Sequence, residues 1–117
     1  MKSIRVLNVT KGVTLAEQAG VADTSAARRT GLLKHTGLDH GEGLLIVPCE
    51  AVHTFGMKFP IDVLFLSKKK QVLKVRKDMG PRKIAFSLLA RYALELPAGT
   101  AAASRTEAGD QLEFEKA

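Results

Sequence analysis

The sequence has one cysteine, no tryptophan and few aromatic residues, which make up 5% of its 117 residues. The single cysteine, Cys49, cannot form an internal disulfide, so we expect a reducing compartment and a cytoplasmic location. The longest apolar runs, such as "VLFL", are far shorter than the ~20 residues of a membrane-spanning helix. The start of the chain carries Lys2 and Arg5 without the apolar stretch of a signal peptide. We therefore expect neither secretion nor contact with a membrane.

Familiar catalytic and nucleotide-binding motifs are also absent. The chain contains no G-x-S-x-G, no H-E-x-x-H, no phosphate-binding loop and no G-x-G-x-x-G. These patterns mark serine hydrolases, zinc peptidases and nucleotide-binding proteins, because each places particular groups around a substrate or metal. We expect no cofactor, and the sequence leaves open whether the chain is an enzyme.

The composition is otherwise that of an ordinary soluble domain, with 45% hydrophobic and 26% charged residues. A chain of this length fits one domain, and we assign residues 1–117 to it. The net charge is +6, and it is unevenly placed. The segment from Lys58 to Lys83 has nine basic residues against two acidic ones, so it carries the whole positive excess.

Alternating polar and apolar residues predict about seven short strands, among them "SIRVLNV", "LLIV", "IDVLFL", "QVLKV" and "YALEL". A helix of about three turns is predicted in "DTSAARRTGLLKHTG", with N-cap candidates at Asp23 and Thr24 and an end at Gly37. A second short helix is predicted in "AGTAAAS". The fold class is therefore mainly β with one or two short helices, arranged as a small antiparallel β-barrel-like or sandwich domain.

Cys49, His53 and Met57 together resemble a soft-ligand metal site. Their spacing would align them on a helix, but the Pro, Gly and β-branched residues around them favour an extended chain. Four residues of a strand span ~13 Å, whereas metal–ligand bonds measure ~2.0 to 2.3 Å. The same separation argues against Cys49 as a nucleophile with His53 as its base. We expect no metal site.

A polar pocket at strand ends is a further hypothesis, built from His53, Lys58, Asp62 and Glu95. Asp62 opens an otherwise apolar strand, where an unpaired carboxylate would cost several kcal/mol to bury. It therefore needs a partner, for which Lys58 and His53 are near candidates. In the alternative, Asp62 fixes a turn by accepting backbone N–H groups. An enzyme would use His53 as general acid or base, oriented by Asp62.

The basic segment forms a predicted hairpin, in which Lys74 and Arg76 share one strand face with Val72. Such a cluster suits phosphate contacts, although no aromatic residue alternates with the cations for base stacking. Nucleic acid or an acidic partner is therefore an alternative function. A lysine-rich edge also prevents strand-to-strand aggregation. The candidate nucleic-acid-binding residues are Lys68, Lys69, Lys70, Lys74 and Arg76.

The stretch "GEGLLIVPCEAVHTFGMKFPIDVLFL", with "ARRTGLL" before it and "YALELPAG" after it, resembles the domain of unknown function family 192 (DUF192, UPF0127) of bacteria and archaea. The resemblance covers about residues 15–115. It implies a small, mostly antiparallel β-barrel-like domain with a flanking helix, and no assigned activity. With the pocket hypothesis, it favours a protein that binds a small or peptide-like anionic ligand. The candidate ligand-binding residues are His53, Phe55, Met57, Lys58, Asp62 and Glu95.

Overall fold

The computed structural model describes residues 1–117. Its strands and helices follow in the order β1 (Ser3–Asn8), β2 (Val13–Ala22), α1 (Ser25–Thr30), β3 (Glu42–Ile46), β4 (Ala51–His53), β5 (Ile61–Leu66), β6 (Val72–Met79), β7 (Ile84–Phe86), β8 (Tyr92–Pro97), α2 (Thr100–Ser104) and β9 (Leu112–Lys116). None of its helices is long and apolar enough to cross a membrane.

Seven strands form one curled sheet in the order β6-β5-β8-β3-β2-β1-β9, which makes a half-barrel. Strands β4 and β7 pair separately as a two-stranded ribbon. Neighbouring strands run antiparallel, except that β2 and β3 are parallel. The predicted class, mainly β with two short helices, is confirmed. Assignment of the whole chain to one domain stays a prediction.

The large sheet has an apolar core on each of its faces. Leu64, Leu94 and Leu96 belong to the first core. The second core holds Val63 and Phe65, and it also includes apolar residues from the β4–β7 ribbon. Since β5 is covered on both faces, all six of its residues are buried. This explains why the β5 sequence is almost uninterruptedly apolar rather than alternating.

Helix α1 is shorter than predicted. It spans six residues, from Ser25 to Thr30, and the Thr24 hydroxyl accepts a hydrogen bond from the Ala27 N–H at its start. The predicted N-cap at Thr24 is therefore correct. The predicted end at Gly37 is wrong, because Gly31 adopts a φ of 47° and stops the helix. A positive φ is readily accessible to glycine, which has no Cβ.

Strand β6 departs from simple alternation. Leu66 pairs with Val72 while Phe65 pairs with Lys74, so Leu73 is an extra residue in a β-bulge. Val72 consequently turns into the first core, where it is 1% exposed. The prediction that Val72 shares a face with Lys74 and Arg76 was wrong for this reason: a one-residue insertion moves the side chains after it, here Lys74 and Arg76, to the other face.

Candidate functional site: a groove between helix α1 and strand β4

A groove of about 530 Å³ lies between α1 and the segment that contains β4. One wall is formed by α1 and the residues that follow it, and the opposite wall by residues 48–53. Glu95, on the central strand β8, also lines the groove. The groove therefore opens at the boundary between the second core and the surface.

Glu95 is placed on the face of the second core by its strand partners. It lies opposite Leu44 of β3 and Val63 of β5, and both belong to that core. Gly43 allows β3 to lie close to β8, because a Cβ there would approach the Glu95 carbonyl oxygen to 2.9 Å. The sheet thus holds a carboxyl group among apolar side chains at the groove.

The Glu95 carboxyl has no hydrogen bond or ion pair within the protein, and the residue is 4% exposed. Burial disfavours the charged form, since protein surroundings solvate a carboxylate less well than water does. Burial raises the pKa of Glu95 from 4.5 to about 7. Near neutral pH this group therefore exists both as an acid that donates a hydrogen bond and as an anion that accepts one.

Cys49 lines the groove with Glu95 and Arg28, and the charges of both act on its thiol. The half-buried Cys49 thiol donates a hydrogen bond to the Ala51 carbonyl oxygen, with 3.1 Å between the heavy atoms. Burial raises the pKa of Cys49, and the nearby Glu95 charge adds to this while Arg28 opposes it. Arg28 is held by the carbonyl oxygens of Asp23 and Val47, at 3.1 and 3.4 Å from its Nη1. The guanidinium is thus fixed at the rim.

The free edge of β4 borders the groove. The Ser87 N–H donates to the Glu50 carbonyl at 2.8 Å, and the Thr54 N–H donates to the Lys83 carbonyl at 2.9 Å. In an antiparallel pair, bonded and non-bonded residue pairs alternate, so Ala51 and His53 direct their backbone groups away from β7. Residues 51, 52 and 53 all line the groove. The side chains of successive strand residues point to opposite faces, so a groove lined by side chains alone would meet every second residue. Because this groove meets all three residues, it runs along the backbone edge of β4.

Three of the six candidate ligand-binding residues come together here. His53, Met57 and Glu95 line the groove. Phe55 and Lys58 are exposed outside its lining, although the Phe55 and His53 rings lie 5.8 Å apart. The lining thus differs from the predicted pocket, which also included Phe55, Lys58 and Asp62.

Cys49 lines the same groove as His53 and Met57, although these three residues were expected to be spread along an extended strand. Strand β4 is only three residues long, and the Met57 N–H bonds to the Thr54 carbonyl in a turn that follows it. The chain therefore bends where continuous extension was assumed. No three His, Cys, Asp or Glu side chains are grouped closely enough to hold a metal ion.

Asp62 lies on the opposite face of the sheet and has backbone partners. It is fully buried, and its carboxylate accepts hydrogen bonds from the N–H groups of Asp78, Gly99 and Ala101 at 2.8, 3.1 and 2.8 Å. The latter two belong to the start of α2. The side-chain partners considered from the sequence, Lys58 and His53, do not contact it. The alternative interpretation, an aspartate that satisfies backbone N–H groups, describes this geometry.

The cations of the β5–β6 hairpin do not share one free face. Lys68 and Lys69 are exposed, whereas the Lys70 ammonium lies 4.9 Å from the centre of the Phe114 ring. Lys74 and Arg76 donate to the carbonyl oxygens of β7, at 2.9 Å to Phe86 and 3.5 Å to Ile84. Binding of nucleic acid through these residues stays a prediction.

Sequence reasoning did not include Arg28 and Arg29 among the site residues, yet both line the groove. The signal was present, because Arg29 belongs to the "ARRTGLL" segment on which the family resemblance rests. Cys49 was considered as a metal ligand or nucleophile and not as part of a binding groove. What the sequence lacked was the information that α1 and β4 face each other across a groove.

These features define a small β half-barrel protein with a groove at the junction of its sheet, its first helix and its ribbon. The chain belongs to the DUF192 family, described as uncharacterized ACR, whose pattern matches residues 6–114. The resemblance inferred from the sequence is thereby confirmed. The cytoplasmic location of the protein stays a prediction.

Two archaeal relatives illustrate the family. A UPF0127 protein of Thermococcus sibiricus is 28% identical over 115 residues, which cover 94% of this chain and 74% of that protein. A UPF0127 protein of Pyrococcus furiosus is 30% identical over 116 residues, which cover 95% of this chain and 98% of that protein. Neither description assigns an activity.

Two solved structures share the fold. A protein of unknown function from Novosphingobium aromaticivorans has a TM-score of 0.82 at 23% identity, over 95% of this chain and 83% of that one. A Sinorhizobium meliloti protein described as a candidate transcription regulator has a TM-score of 0.83 at 23% identity, over 97% and 92% of the two chains. At this identity the likeness concerns the fold.

Proposed function

We propose that this protein binds a short, extended, peptide-like ligand in the groove between α1 and β4, with Glu95 as the anchor at its floor. The pocket predicted from the sequence contained Glu95, His53 and Met57, and the proposal keeps these three. It replaces Phe55, Lys58 and Asp62 with the arginines of α1, because those arginines line the groove.

Glu95 is the observation that carries the proposal. A buried carboxyl without a hydrogen-bond partner costs free energy, commonly several kcal/mol, and proteins satisfy nearly all such groups. Asp62 in the same sheet is satisfied by three N–H groups. A largely buried carboxyl that has no protein partner and lines an open groove is what a site prepared for a ligand would present. A ligand N–H or O–H group at this position would offset the cost of burial.

The free edge of β4 favours a peptide-like ligand over a compact one. His53 directs its backbone N–H and carbonyl toward the groove, whereas the Ala51 carbonyl is already occupied by the Cys49 thiol. An extended segment that lies along such an edge gains main-chain hydrogen bonds, and side-chain pockets then supply selectivity. Arg29 at the opposite rim is exposed and suits an anionic group of the ligand.

The proposal is tested with a library of short peptides that have free termini, added to the ¹⁵N-labelled protein and followed by amide shifts of groove residues. We expect some peptides to move the His53 and Met57 resonances. Glu95→Gln should weaken their binding about tenfold, because a hydrogen bond to a charged carboxylate is replaced by a weaker one to a neutral amide. Glu50→Gln is the matched control, since Glu50 is exposed on the same groove and should change binding less than about twofold.

The role of the strand edge is tested separately at His53. His53→Pro removes the backbone N–H that faces the groove, whereas His53→Ala keeps it. We expect the proline variant to lose peptide binding and the alanine variant to retain most of it, with circular dichroism confirming that both fold. If no peptide shifts any groove amide at millimolar concentration, the proposal is wrong.

The alternatives have weaker support. An enzyme that used His53 with Asp62 would need these side chains in contact, but Asp62 accepts from backbone N–H groups on the other face of the sheet. A nucleic-acid surface on the hairpin would need its cations free, but Lys74 and Arg76 already contact β7.

A further inference from the structure

Large apolar side chains are exposed mainly around the β4–β7 ribbon. We call this group the ribbon patch, and its members are Phe55, Ile84, Phe86, Leu88 and Leu89. The other exposed large apolar residues are Met1 and Val9, near the start of the chain. Scattered apolar residues are normal on a protein surface, but a contiguous group indicates an interaction site.

The pairing of β4 with β7 makes the patch contiguous. Ile84 and Phe86 are two residues apart on β7 and therefore point to the same face. Ile84 lies opposite His53, whose ring contacts that of Phe55. The outer face of the ribbon thus presents a continuous row of apolar and aromatic side chains, while Val52 and Ala85 point inward to the second core.

A turn at the end of β7 extends this face. The Ala90 N–H donates to the Ser87 carbonyl at 3.1 Å, which places Leu88 and Leu89 at the tip of the turn. These leucines are 76% and 83% exposed. Turn tips are usually occupied by Gly, Asn, Asp, Pro or Ser, because those residues favour the turn geometry. Two leucines at such a tip have no role in the fold and expose apolar surface to water.

Cations surround the patch. Lys74 donates to the Phe86 carbonyl and its ammonium lies 5.4 Å from the Phe86 ring centre. Arg76 donates to the Ile84 carbonyl at the same edge. Further exposed cations flank the ribbon and its turn in the sequence: Lys58, Arg82, Lys83 and Arg91. Between residues 50 and 91 the exposed acidic residues are Asp78 and Glu50, whose carbonyl accepts from the Ser87 N–H, so exposed cations outnumber exposed acids around the patch.

The shape of the patch restricts what it binds. None of its five members lines the groove between α1 and β4, and Leu88 and Leu89 project from the tip of their turn into solvent. A second copy of the chain would bring the same cations against each other across a twofold interface, which is unfavourable. The β7 edge is occupied by Lys74 and Arg76, so it does not accept another strand.

We propose that the ribbon patch docks the protein on an anionic lipid surface, with Leu88 and Leu89 inserted among the headgroups and the exposed cations Lys58, Arg82, Lys83 and Arg91 in contact with lipid phosphates. Apolar residues bordered by cations are the composition of interfacial membrane-binding segments. A projecting apolar tip suits a fluid lipid interface, since insertion there needs no matching pocket. This proposal departs from the sequence-based expectation of no membrane contact, and it uses residues that lie outside the groove lining.

The experiment is co-sedimentation of the full chain with phosphatidylcholine vesicles that contain or lack phosphatidylglycerol. We expect binding to the anionic vesicles, weakening as salt screens the charges. The double substitution Leu88→Ser with Leu89→Ser should reduce binding at least about tenfold, because two side chains lose their apolar environment. Val9→Ser is the matched control, an exposed apolar residue outside the patch, and should bind like the parent.

A tryptophan reporter checks insertion directly, because the chain has no tryptophan of its own. Leu89→Trp should show a blue-shifted emission with anionic vesicles, and Val9→Trp should not. The proposal is overturned if the parent protein does not sediment with anionic vesicles, or if the double serine variant binds as well as the parent. Retention on heparin or polyglutamate without vesicle binding also overturns it, and would indicate a nucleic-acid-like or acidic protein partner.

Discussion

Two buried carboxyl groups on neighbouring strands have opposite surroundings in this protein. Asp62 of β5 faces the first core, and three backbone N–H groups from β6 and the start of α2 donate to it. Glu95 of β8 faces the second core, has no protein partner and has its pKa raised to about 7 by burial. Burial alone therefore does not identify a functional carboxyl. The presence or absence of partners distinguishes a group that holds the fold together from one that can meet a ligand.

Asp62→Ala should have the largest effect on the fold. The substitution leaves three buried N–H groups without an acceptor, and each costs about 1 to 3 kcal/mol. We expect the free energy of unfolding to fall by about 3 to 5 kcal/mol. Urea unfolding at neutral pH measures this loss. A loss below about 1 kcal/mol would show that the backbone partners of Asp62 do not make it more important for the fold than Glu95.

Glu95→Gln should have the opposite effect on stability above neutral pH. Because the pKa of Glu95 is about 7 in the folded protein against 4.5 ordinarily, the folded state holds its proton more tightly. The contribution of Glu95 to the free energy of unfolding is then fully present below about pH 4.5. It is lost as the pH rises through 7, and the total loss is roughly 3 kcal/mol. Glutamine does not ionise, so the variant should lack this fall.

The measurement is urea unfolding of the parent and of Glu95→Gln at several pH values between 4.5 and 8. The variant should gain stability relative to the parent as pH rises, whereas the rim variant Glu50→Gln should follow the parent. Parallel pH profiles for Glu95→Gln and the parent would show that burial does not raise the pKa of Glu95.

Thr24→Ala tests how firmly the wall of the groove is fixed. Helix α1 has no buried residue, and the Thr24 hydroxyl bonds to the Ala27 N–H at its start. Loss of this cap should cost about 1 kcal/mol. We expect faster amide hydrogen exchange in α1, with exchange in β5 and β8 nearly unchanged. Equal acceleration in the central strands would show that α1 is part of the cooperative core.

The smallest effect concerns Cys49. Burial and the nearby Glu95 charge raise the pKa of this thiol, so its alkylation near pH 8 should be slower than that of free cysteine. Glu95→Gln removes the charge and should speed alkylation by about twofold, since burial remains the main cause. An unchanged rate of iodoacetamide labelling would show that the two groups do not interact.

The sequence predicted local features well, since local physics determines them. The Thr24 cap and the apolar β5 strand follow from hydrogen bonding and burial within short segments. The β6 bulge was missed, because an unpaired Leu73 arises from the pairing of β6 with β5 and leaves no mark in the composition of the strand.

The groove was also predictable in part, because some of its residues are recognisable from the local sequence alone. Glu95 could be named because a lone acid within an apolar strand is conspicuous. Its lack of partners could not be foreseen, since partners come from distant parts of the chain: residues 78, 99 and 101 reach Asp62, and none reaches Glu95. The end of α1 was misplaced because Gly31 and Gly37 are equivalent stop signals until the backbone angle is known.

The most direct test of the central claim is a ¹³C NMR titration of the Glu95 side-chain carboxyl in the parent protein, assigned by comparison with Glu95→Gln. An unpartnered buried carboxyl at the groove should titrate with a pKa near 7. A midpoint near the ordinary value of 4.5 would contradict the account, because it would mean that water or a protein group already satisfies Glu95.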